Sequence, residues 1–235
     1  MHPLDNVIWQ ALTTRQAQFA ESRGTARRFP LEVTALAAFE QPNAEGYSSL
    51  ASLVGLGGTG AVFLENPYEP LDGWDYVVGA PLLQMVCENG AATPDPQIQH
   101  DRISRLGIIE LGDPDSPEMV ALTALTKPGP FGKRTHELGY YVGIRDRGKL
   151  VAMAGERLKV PGYTEVSAVC THPDHLGKGY AHVLMTEVMR HICERGEKPF
   201  LHVRGDNARA IAIYERLGFR TRWEGYFAVL RRTKA

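Results

Sequence analysis

A glycine-rich turn lies between a predicted strand and a predicted helix in the second half of the chain. Residues 163–171 alternate as a strand does, and the turn HLGKGYA follows at residues 175–181. Gly177 and Gly179 allow close backbone approach to a ligand, and Lys178 adds a mobile positive charge. The first N–H groups of a helix lack intrahelical partners and the helix dipole favours negative charge there, so the turn is a candidate anion site. A simple tight turn explains the two glycines equally well.

The second half as a whole has the pattern of a regular α/β domain. Strands are predicted over residues 106–111, 139–144, 149–158, 163–171, 200–203 and 223–230, and helices over about 117–125, 181–192 and 207–217. Asp113 or Ser116 is expected to cap the first of these helices. The order strand, helix, strand after residue 163 predicts one parallel pair joined by a crossover. The fold class is therefore a mixed α/β sheet with flanking helices.

The first half is less regular. A helix is predicted over residues 5–21 and a strand over 32–40, while apolar runs at 49–56, 60–64 and 76–86 suggest strands with short helices. Residues 93–99 combine two prolines with polar residues, which predicts a connection between two halves. The chain is accordingly divided into an N-terminal half, residues 1–105, and a C-terminal domain, residues 106–235.

A second signal lies on the helix predicted after residue 206. Asn207 can cap this helix, and Ala210, Ile211 and Tyr214 fall on the same side of it. A small residue, a cap and a phenol could thus face one slot. Taken alone, Tyr214 is more often a half-buried packing aromatic than an acid.

Together the two signals resemble the GNAT superfamily of acyl-CoA N-acyltransferases. The resemblance rests on VSAVCTHPDHLGKGYAHVLM at residues 166–185 and LHVRGDNARAIAIYERLGF at residues 201–219, and it covers residues 139–219 well. Gly177, Lys178, Gly179 and Ala181 match the family's loop pattern. Leu176 stands where the family has Arg or Gln, which removes a side chain but leaves the backbone amides that mostly hold the phosphates.

The resemblance implies a fold, a co-substrate and a reaction. It implies a GNAT-like central sheet in which the strands at residues 163–171 and 200–203 part to admit the pantetheine arm of coenzyme A. The implied coenzyme A contacts are Leu176, Gly177, Lys178, Gly179, Tyr180 and Ala181 in the loop, Val169 and Thr171 on the strand, and Asn207 opposite. The implied reaction is transfer of an acetyl (acyl) group from acetyl-CoA to a primary amine by direct attack, with Tyr214 as the acid. The first half is expected to be a degenerate copy of the fold, as in glycine N-acyltransferase-like members.

Glu165 is the candidate general base. Strand alternation places Glu165 with Val169 on one face and Ala168 with Cys170 on the other. Burial is expected to raise the pKa of Glu165 toward neutral pH, as a base requires. The resemblance to the histone-type branch also implies a base here. A rim carboxylate that attracts a cation or pairs with Arg157 is an equal alternative.

Further candidates follow from position. Glu137 is a less favoured base, and Cys170, expected on the wrong face, receives no acyl-enzyme role. Residues 126–131 and 134–137 lie where the family has its acceptor-binding segments, although proline-rich loops are also simple connectors.

Other function classes have weaker support. The run GLGGTG at residues 55–60 fits the dinucleotide fingerprint, which makes an NAD-dependent oxidoreductase the alternative enzyme, but Pro67 follows too soon for the helix required. His202 and Asp206 match the HxxxD of another acyltransferase class, which we interpret as coincidence. A non-catalytic module that binds acyl-CoA is a third hypothesis, favoured by Leu176.

Composition narrows the partners. A formal net charge of −1 favours neither nucleic acid nor an acidic membrane surface. Three cysteines at wide spacing suit reduced thiols, the scattered histidines give little support for a metal, and the N-terminal residues lack a basic-then-apolar leader. We therefore expect a cytoplasmic protein without a metal that acts on a small-molecule amine or amino-acid-like acceptor. A homodimer is left open.

Overall fold

In the part of the chain that the structure describes, the central feature is an eight-stranded mixed sheet, accompanied by a three-stranded antiparallel sheet. A computed structural model describes residues 2–88 and 106–234. The connection predicted at residues 93–99 lies outside these described residues.

The elements follow one another in chain order as strands and short helices. The strands are β1 (Glu21–Arg23), β2 (Ala26–Arg28), β3 (Ala37–Phe39), β4 (Thr59–Leu64), β5 (Trp74–Val86), β6 (Ile109–Glu110), β7 (Tyr141–Asp146), β8 (Lys149–Val160), β9 (Tyr163–Thr171), β10 (Lys198–Arg204) and β11 (Arg220–Arg232). The α-helices are α1 (Val7–Thr13), α2 (Ala44–Val54), α3 (Ser116–Thr126), α4 (Tyr180–Glu194) and α5 (Ala208–Arg216). Among the described residues, none of the helices has the length and apolar character needed to cross a membrane.

The large sheet draws strands from both halves of the chain. Its order is β4-β11-β5-β10-β9-β8-β7-β6, and β1, β2 and β3 form the small sheet. Within the described strands, β9 and β10 form the parallel pair and are joined through α4, while the neighbouring pairs are antiparallel. The prediction of a mixed α/β sheet is confirmed. The strand β5 lies between β10 and β11, so the division at residue 105 separates segments of sequence and not two sheets.

The parallel pair is short, and its strands part. Pairing runs only from Lys198 opposite Tyr163 to Phe200 opposite Glu165. Beyond that point β10 continues beside β5 as far as Arg204, and β9 continues beside β8 to Thr171. A gap therefore opens between the carboxyl ends of β9 and β10, as the family resemblance implies.

Two apolar clusters distinguish the faces of the sheet. On the first face, Leu201 and Val203 of β10 pack with residues of α4 and with Leu217 and Phe219 after α5. On the second face, Phe200 packs with residues of α1. The helix α3 also covers the second face, where Met119 and Leu122 pack with Met153 and Cys170. Since Phe200 and His202 are two residues apart in β10, His202 also belongs to the second face.

A bulge changes which residues of β9 face which side. Met153 pairs with Cys170 and Gly155 with Ser167, so two steps along β8 oppose three steps along β9. The extra residue is accommodated at Ala168, whose φ is 53°. Val169 consequently packs on the first face, while Cys170 shares the second face with Glu165. The predicted alternation is wrong beyond residue 167, because a single bulge shifts the phase of all later side chains.

Several predicted elements are shorter or different. The strand predicted over 32–40 is limited to residues 37–39, the one over 106–111 to 109–110, and the helix over 5–21 to 7–13. The apolar run from residue 49 belongs to α2, whose start is stabilised by the Asn43 side chain accepting the N–H of Gly46. Neither Asp113 nor Ser116 caps α3; Asp115 is the N-cap residue, and its carboxylate accepts the N–H of Gly112 instead.

Gly155 provides a test of the packing beneath this part of the sheet. A Cβ on Gly155 would lie 2.2 Å from a ring carbon of the fully buried Tyr141, so we expect Gly155→Ala to lower the free energy of unfolding by about 1–3 kcal/mol. Urea denaturation measures this change. Gly112→Ala is the matched control, because its nearest neighbour is 4.0 Å away. Equal stability of the two variants would contradict the packing argument.

Candidate functional site

The turn that leads into α4 is anchored at its start. The N–H of His172 donates to the carbonyl of Val151 at 2.7 Å, and Nδ1 of His172 accepts the N–H of Asp174 at 3.2 Å. His175 Nε2 lies 3.0 Å from the carboxylate of Asp146 at the end of β7. These contacts hold the beginning of the turn against the sheet and leave its glycine-containing part facing outward.

The glycines of the turn create an open surface at the start of α4. Gly177 and Gly179 have φ angles of 80° and 77°, and a Cβ on either would meet nothing within 4 Å. Gly179 is the N-cap of α4 and supplies no side-chain cap, so the first-turn N–H groups are left for another acceptor. Lys178 is exposed and lies 5.9 Å from the ring centre of Tyr180. The surface fits an anion such as a diphosphate.

Leu176 and Ala181, two predicted coenzyme A contacts of the same loop, lie on either side of this surface. Leu176 is 53% exposed and has extended backbone angles, so its side chain faces solvent. Ala181 is half-buried within the first turn of α4. The N–H of Leu176 donates to the carbonyl of Pro173 at 3.3 Å, and the side chain of Leu176 offers the surface no charge.

The gap between β9 and β10 lies next to this turn. Val169 and Thr171 are half-buried on β9, past the last residue pair that β9 makes with β10. Val169, Tyr180 and Tyr214 pack against one apolar cluster on the first face. The structure thus brings the predicted loop, strand and helix residues together at one end of the sheet.

Asn207 and Tyr214 lie at the two ends of α5. Asn207 is its N-cap and accepts the N–H of Ala210 at 3.1 Å, as predicted. Tyr214 is half-buried, and its ring meets that of Phe219 edge-on with centres 6.2 Å apart. Burial raises the pKa of Tyr214 to about 12, so the phenol is protonated at neutral pH.

Glu165 is completely buried and fully engaged. Its two carboxylate oxygens accept from Nε and Nη2 of Arg157 at 2.8 Å each, and the N–H of Leu158 lies 3.3 Å from one of them. Nδ1 of His202 is 2.7 Å from the other. Burial opposes the charged form, but the Arg157 guanidinium and His202 outweigh it and hold the pKa of Glu165 well below its ordinary value. The expected rise in pKa is wrong, and the pairing with Arg157 is the alternative that the structure shows.

His202 is the site residue that pattern reasoning missed. Its side chain is 2% exposed, and Nε2 lies 3.2 Å from Nε2 of Gln84 on β5. Asp206, its partner in the HxxxD match, is exposed and pairs with Arg204. The strand register is the signal that indicates His202. Phe200 pairs with Glu165, and a residue two positions further along β10 must lie on the same face of the sheet as Glu165.

A cavity of about 850 Å³ opens on the second face and reaches this network. His202, Gln84 and Trp223 line it from the large sheet, and the segment after β4 encloses it from the first half. Several carboxylates also line the cavity: Asp5, Glu40, Glu65 and Glu69. The N-terminal half thus supplies part of the wall of this cavity, and His202 and Trp223 of the C-terminal domain supply another part.

The segments predicted to contact an acceptor also lie on the second face. A Cβ on Gly129 would lie 3.8 Å from Nη1 of Arg157, and the ring of Phe131 meets that of Tyr141 edge-on, with centres 6.0 Å apart. Glu137 makes two hydrogen bonds with Arg134, and these lower its pKa, so it is no better a base than Glu165. A gating role for residues 126–131 and 134–137 stays a prediction.

The dinucleotide interpretation of residues 55–60 is wrong. The helix α2 ends at Val54, Gly55 follows as its C-cap, and the chain then enters β4. The N–H of Gly57 donates to the carbonyl of Arg232 at 2.9 Å. A dinucleotide site needs the reverse order, strand then turn then helix, so that a helix N-terminus receives the pyrophosphate.

The parted strands and the open turn at a helix start define the class of fold, and comparison with known proteins gives the family. The family model described as FR47-like protein matches residues 141–228. The crystal structure of a protein assigned to the GNAT family, from Novosphingobium aromaticivorans, is 36% identical, with a TM-score of 0.88 and 100% coverage of both chains. The chain belongs to the GNAT family of acetyltransferases.

Two curated relatives match over shorter stretches. A mycothiol acetyltransferase of Saccharomonospora viridis is 47% identical over 58 residues, which are 24% of this chain and 19% of that protein. The N-alpha-acetyltransferase RimI of Mycobacterium tuberculosis is 37% identical over 83 residues, or 34% of this chain and 51% of that protein. The chain therefore aligns with about half or less of each relative.

The buried pair of Arg157 and Glu165 gives a stability prediction. Glu165→Gln leaves the Arg157 charge buried without a counter-ion, and we expect it to lower the free energy of unfolding by about 3–5 kcal/mol. Urea denaturation at pH 7 measures the loss. Asp206→Asn removes an exposed ion pair instead and is expected to leave the midpoint nearly unchanged. Similar unfolding midpoints for the two variants would refute the assignment of Arg157 and Glu165 as a buried ion pair.

Proposed function

We propose that this protein transfers an acetyl (acyl) group from acetyl-CoA to a primary amine by direct attack on the thioester. The observation that carries the proposal is the open turn at the start of α4 lying beside the gap between β9 and β10. The open turn suits a diphosphate, and the gap suits a narrow arm with a thioester at its end. The family membership supports the same reaction.

The residues of the turn fit the diphosphate of coenzyme A. The turn is open around Gly177 and Gly179, Gly179 leaves the first-turn N–H groups of α4 without a side-chain cap, and Lys178 is exposed and adds positive charge. Leu176 contributes no charge, so we expect weaker binding than a family member with Arg at that place. The bound thioester supplies an acyl carbon that is activated toward amines.

The gap fits the arm and its reacting end. Backbone groups of Val169 and Thr171 lie past the last pair with β10, where they can bond to the amides of the arm, and Asn207 lies on the opposite side. A backbone N–H near Val169 is suited to stabilise the oxyanion that forms on attack.

Tyr214 is proposed as the acid. The departing thiolate has a conjugate acid with a pKa near about 8.5, by analogy with cysteine. Because burial keeps the phenol protonated at neutral pH, it can donate to the sulfur as the carbon–sulfur bond breaks. Cys170 is buried and its raised pKa, about 11, disfavours the thiolate, so direct transfer needs no acyl-enzyme.

The acceptor is proposed to be a small-molecule amine or amino-acid-like compound. Within residues 2–88 and 106–234, Glu40, Glu65 and Glu69 form no ion pair, and all three line the cavity on the second face. Carboxylates in this position attract a cationic amine and repel an anion. The glycine N-acyltransferase-like organisation, with a degenerate first half, is part of the proposal because that half supplies β5 and the cavity wall.

A non-catalytic acyl-CoA-binding module is the second candidate. It is favoured by the exposed Leu176 at the place where the family has Arg or Gln. Such a module would bind acetyl-CoA but release no free coenzyme A with any amine, so a turnover assay separates the two functions.

Gly179 tests the anion site. We expect Gly179→Val to weaken acetyl-CoA binding at least tenfold in calorimetry, because a β-branched residue is strained at a φ of 77° and shifts the N–H groups of the turn. Gly196→Val is the matched control: its φ is 74° and its surroundings are equally open, but it lies at the far end of α4. Equal effects of the two variants would argue against the turn as the binding site.

Tyr214 tests the acid. We expect Tyr214→Phe to lower kcat about 100-fold while the KM for acetyl-CoA stays nearly constant, since a general acid acts in the transition state. Release of the coenzyme A thiol measures turnover. Tyr163→Phe, at the paired end of β9, is the control and should retain activity. Unchanged kcat in Tyr214→Phe would remove the tyrosine from the mechanism.

A further inference from the structure

The proposed reaction needs a proton acceptor, because an alkyl ammonium cannot attack a thioester until it loses a proton. Glu165 is a poor one, since Arg157 stabilises its charged form. His202 is bonded to that carboxylate, with Nδ1 2.7 Å from Oε1 of Glu165. A buried imidazole held by a carboxylate is an arrangement that supports general-base catalysis.

The hydrogen-bond network determines which nitrogen of His202 is basic. Arg222 can only donate, so the side-chain atom of Gln84 that lies 3.0 Å from Nη1 of Arg222 is its oxygen. The amide nitrogen of Gln84 then donates to the carbonyl of Leu4 at 3.1 Å and to Nε2 of His202 at 3.2 Å. Nε2 is therefore the acceptor, and the imidazole proton is on Nδ1, facing Glu165.

His202 also lies where an acceptor would arrive. It follows Phe200, the last residue of β10 that pairs with β9, so it stands at the point where the strands part. It lines the cavity on the second face, whereas the turn and α4 belong to the first. An amine in the cavity would approach the gap from the face opposite the diphosphate surface.

The groups that face His202 shield its imidazole from solvent. The ring centres of Phe63 on β4 and Phe200 on β10 lie 4.5 and 5.7 Å from the centre of the imidazole. The hydrogen-bond partners of the imidazole are Glu165 on β9 and Gln84 on β5. Arg157 on β8 reaches it only through Glu165. One N–H of the Gln84 amide donates to the carbonyl of Leu4 and the other to Nε2 of His202. To reach Nε2, an amine must therefore displace the second of these N–H groups.

We propose that His202 is the base of the acyl transfer and that Glu165 is its positioning residue. This inference rests on the proposed function. Nε2 of His202 takes the ammonium proton and releases it to solvent. As the neutral amine nitrogen then bonds to the acyl carbon, a second proton passes from that nitrogen to Nε2 of His202. The carbon–sulfur bond breaks, the sulfur takes the phenol proton of Tyr214, and the proton on His202 returns through solvent to the phenolate.

His202→Asn is the main test, because the Asn amide keeps a donor toward Glu165 but has no basic nitrogen. With acetyl-CoA and tyramine, spermidine or alanine amide as acceptors, we expect kcat to fall at least 100-fold and the acidic limb of its pH profile to disappear. Acetyl-CoA affinity in calorimetry should stay within about twofold. Asp206→Asn, the exposed partner of the HxxxD match, is the control and should keep both kcat and the limb.

The outcomes separate the two proposals. Full kcat in His202→Asn overturns the base assignment, whereas a wild-type protein that binds acetyl-CoA but acetylates none of the three amines counts against the proposed function. If the variant does not fold, ¹⁵N NMR of the wild-type protein decides: an unprotonated Nε2 whose shift moves on adding the amines supports the base, and a protonated Nε2 overturns it.

Discussion

The organisation of the site depends on the early end of pairing between β9 and β10. Each strand has another neighbour that holds it to its end, β8 for β9 and β5 for β10, so the two can part without leaving the sheet. Glu165 and Phe200 form the last pair, and the residues just beyond it line the gap. A sheet that normally shields its backbone groups thus exposes some of them at one place, where a ligand can satisfy them.

The buried ion pair of Arg157 and Glu165 lies at that point, and it makes Glu165 a poor proton acceptor. Arg157 and Glu165 satisfy each other through two parallel hydrogen bonds, an arrangement whose Coulombic gain is largely offset by the cost of desolvation. Its contribution is better described as orientation than as stability. With its charge fixed, Glu165 holds one tautomer of His202, and the imidazole, whose side chain is 2% exposed, packs at a tilt against Phe63 and edge-on against Phe200.

Local pattern predicted much of this architecture, and long-range contacts account for the rest. The strand, glycine turn and helix from residue 163 to 194, and the cap at Asn207, were predictable because each depends on neighbouring residues. The bulge at Ala168 was not, because a positive φ at a residue with a side chain leaves no mark in the sequence. The low pKa of Glu165 and the contacts of His202 were also hidden, since the side chains involved come from β5, β8, β9 and β10.

The insertion of β5 between β10 and β11 has a consequence for how the protein is made. A ribosome completes β5 first, and its neighbours begin only at Lys198 and Arg220. At about 5–20 residues per second, this strand waits roughly 6 to 22 seconds with both edges unpaired before synthesis of β10 begins. Exposed strands of this kind invite association with other chains. The nascent chain is therefore most prone to aggregation between the synthesis of β5 and that of β11.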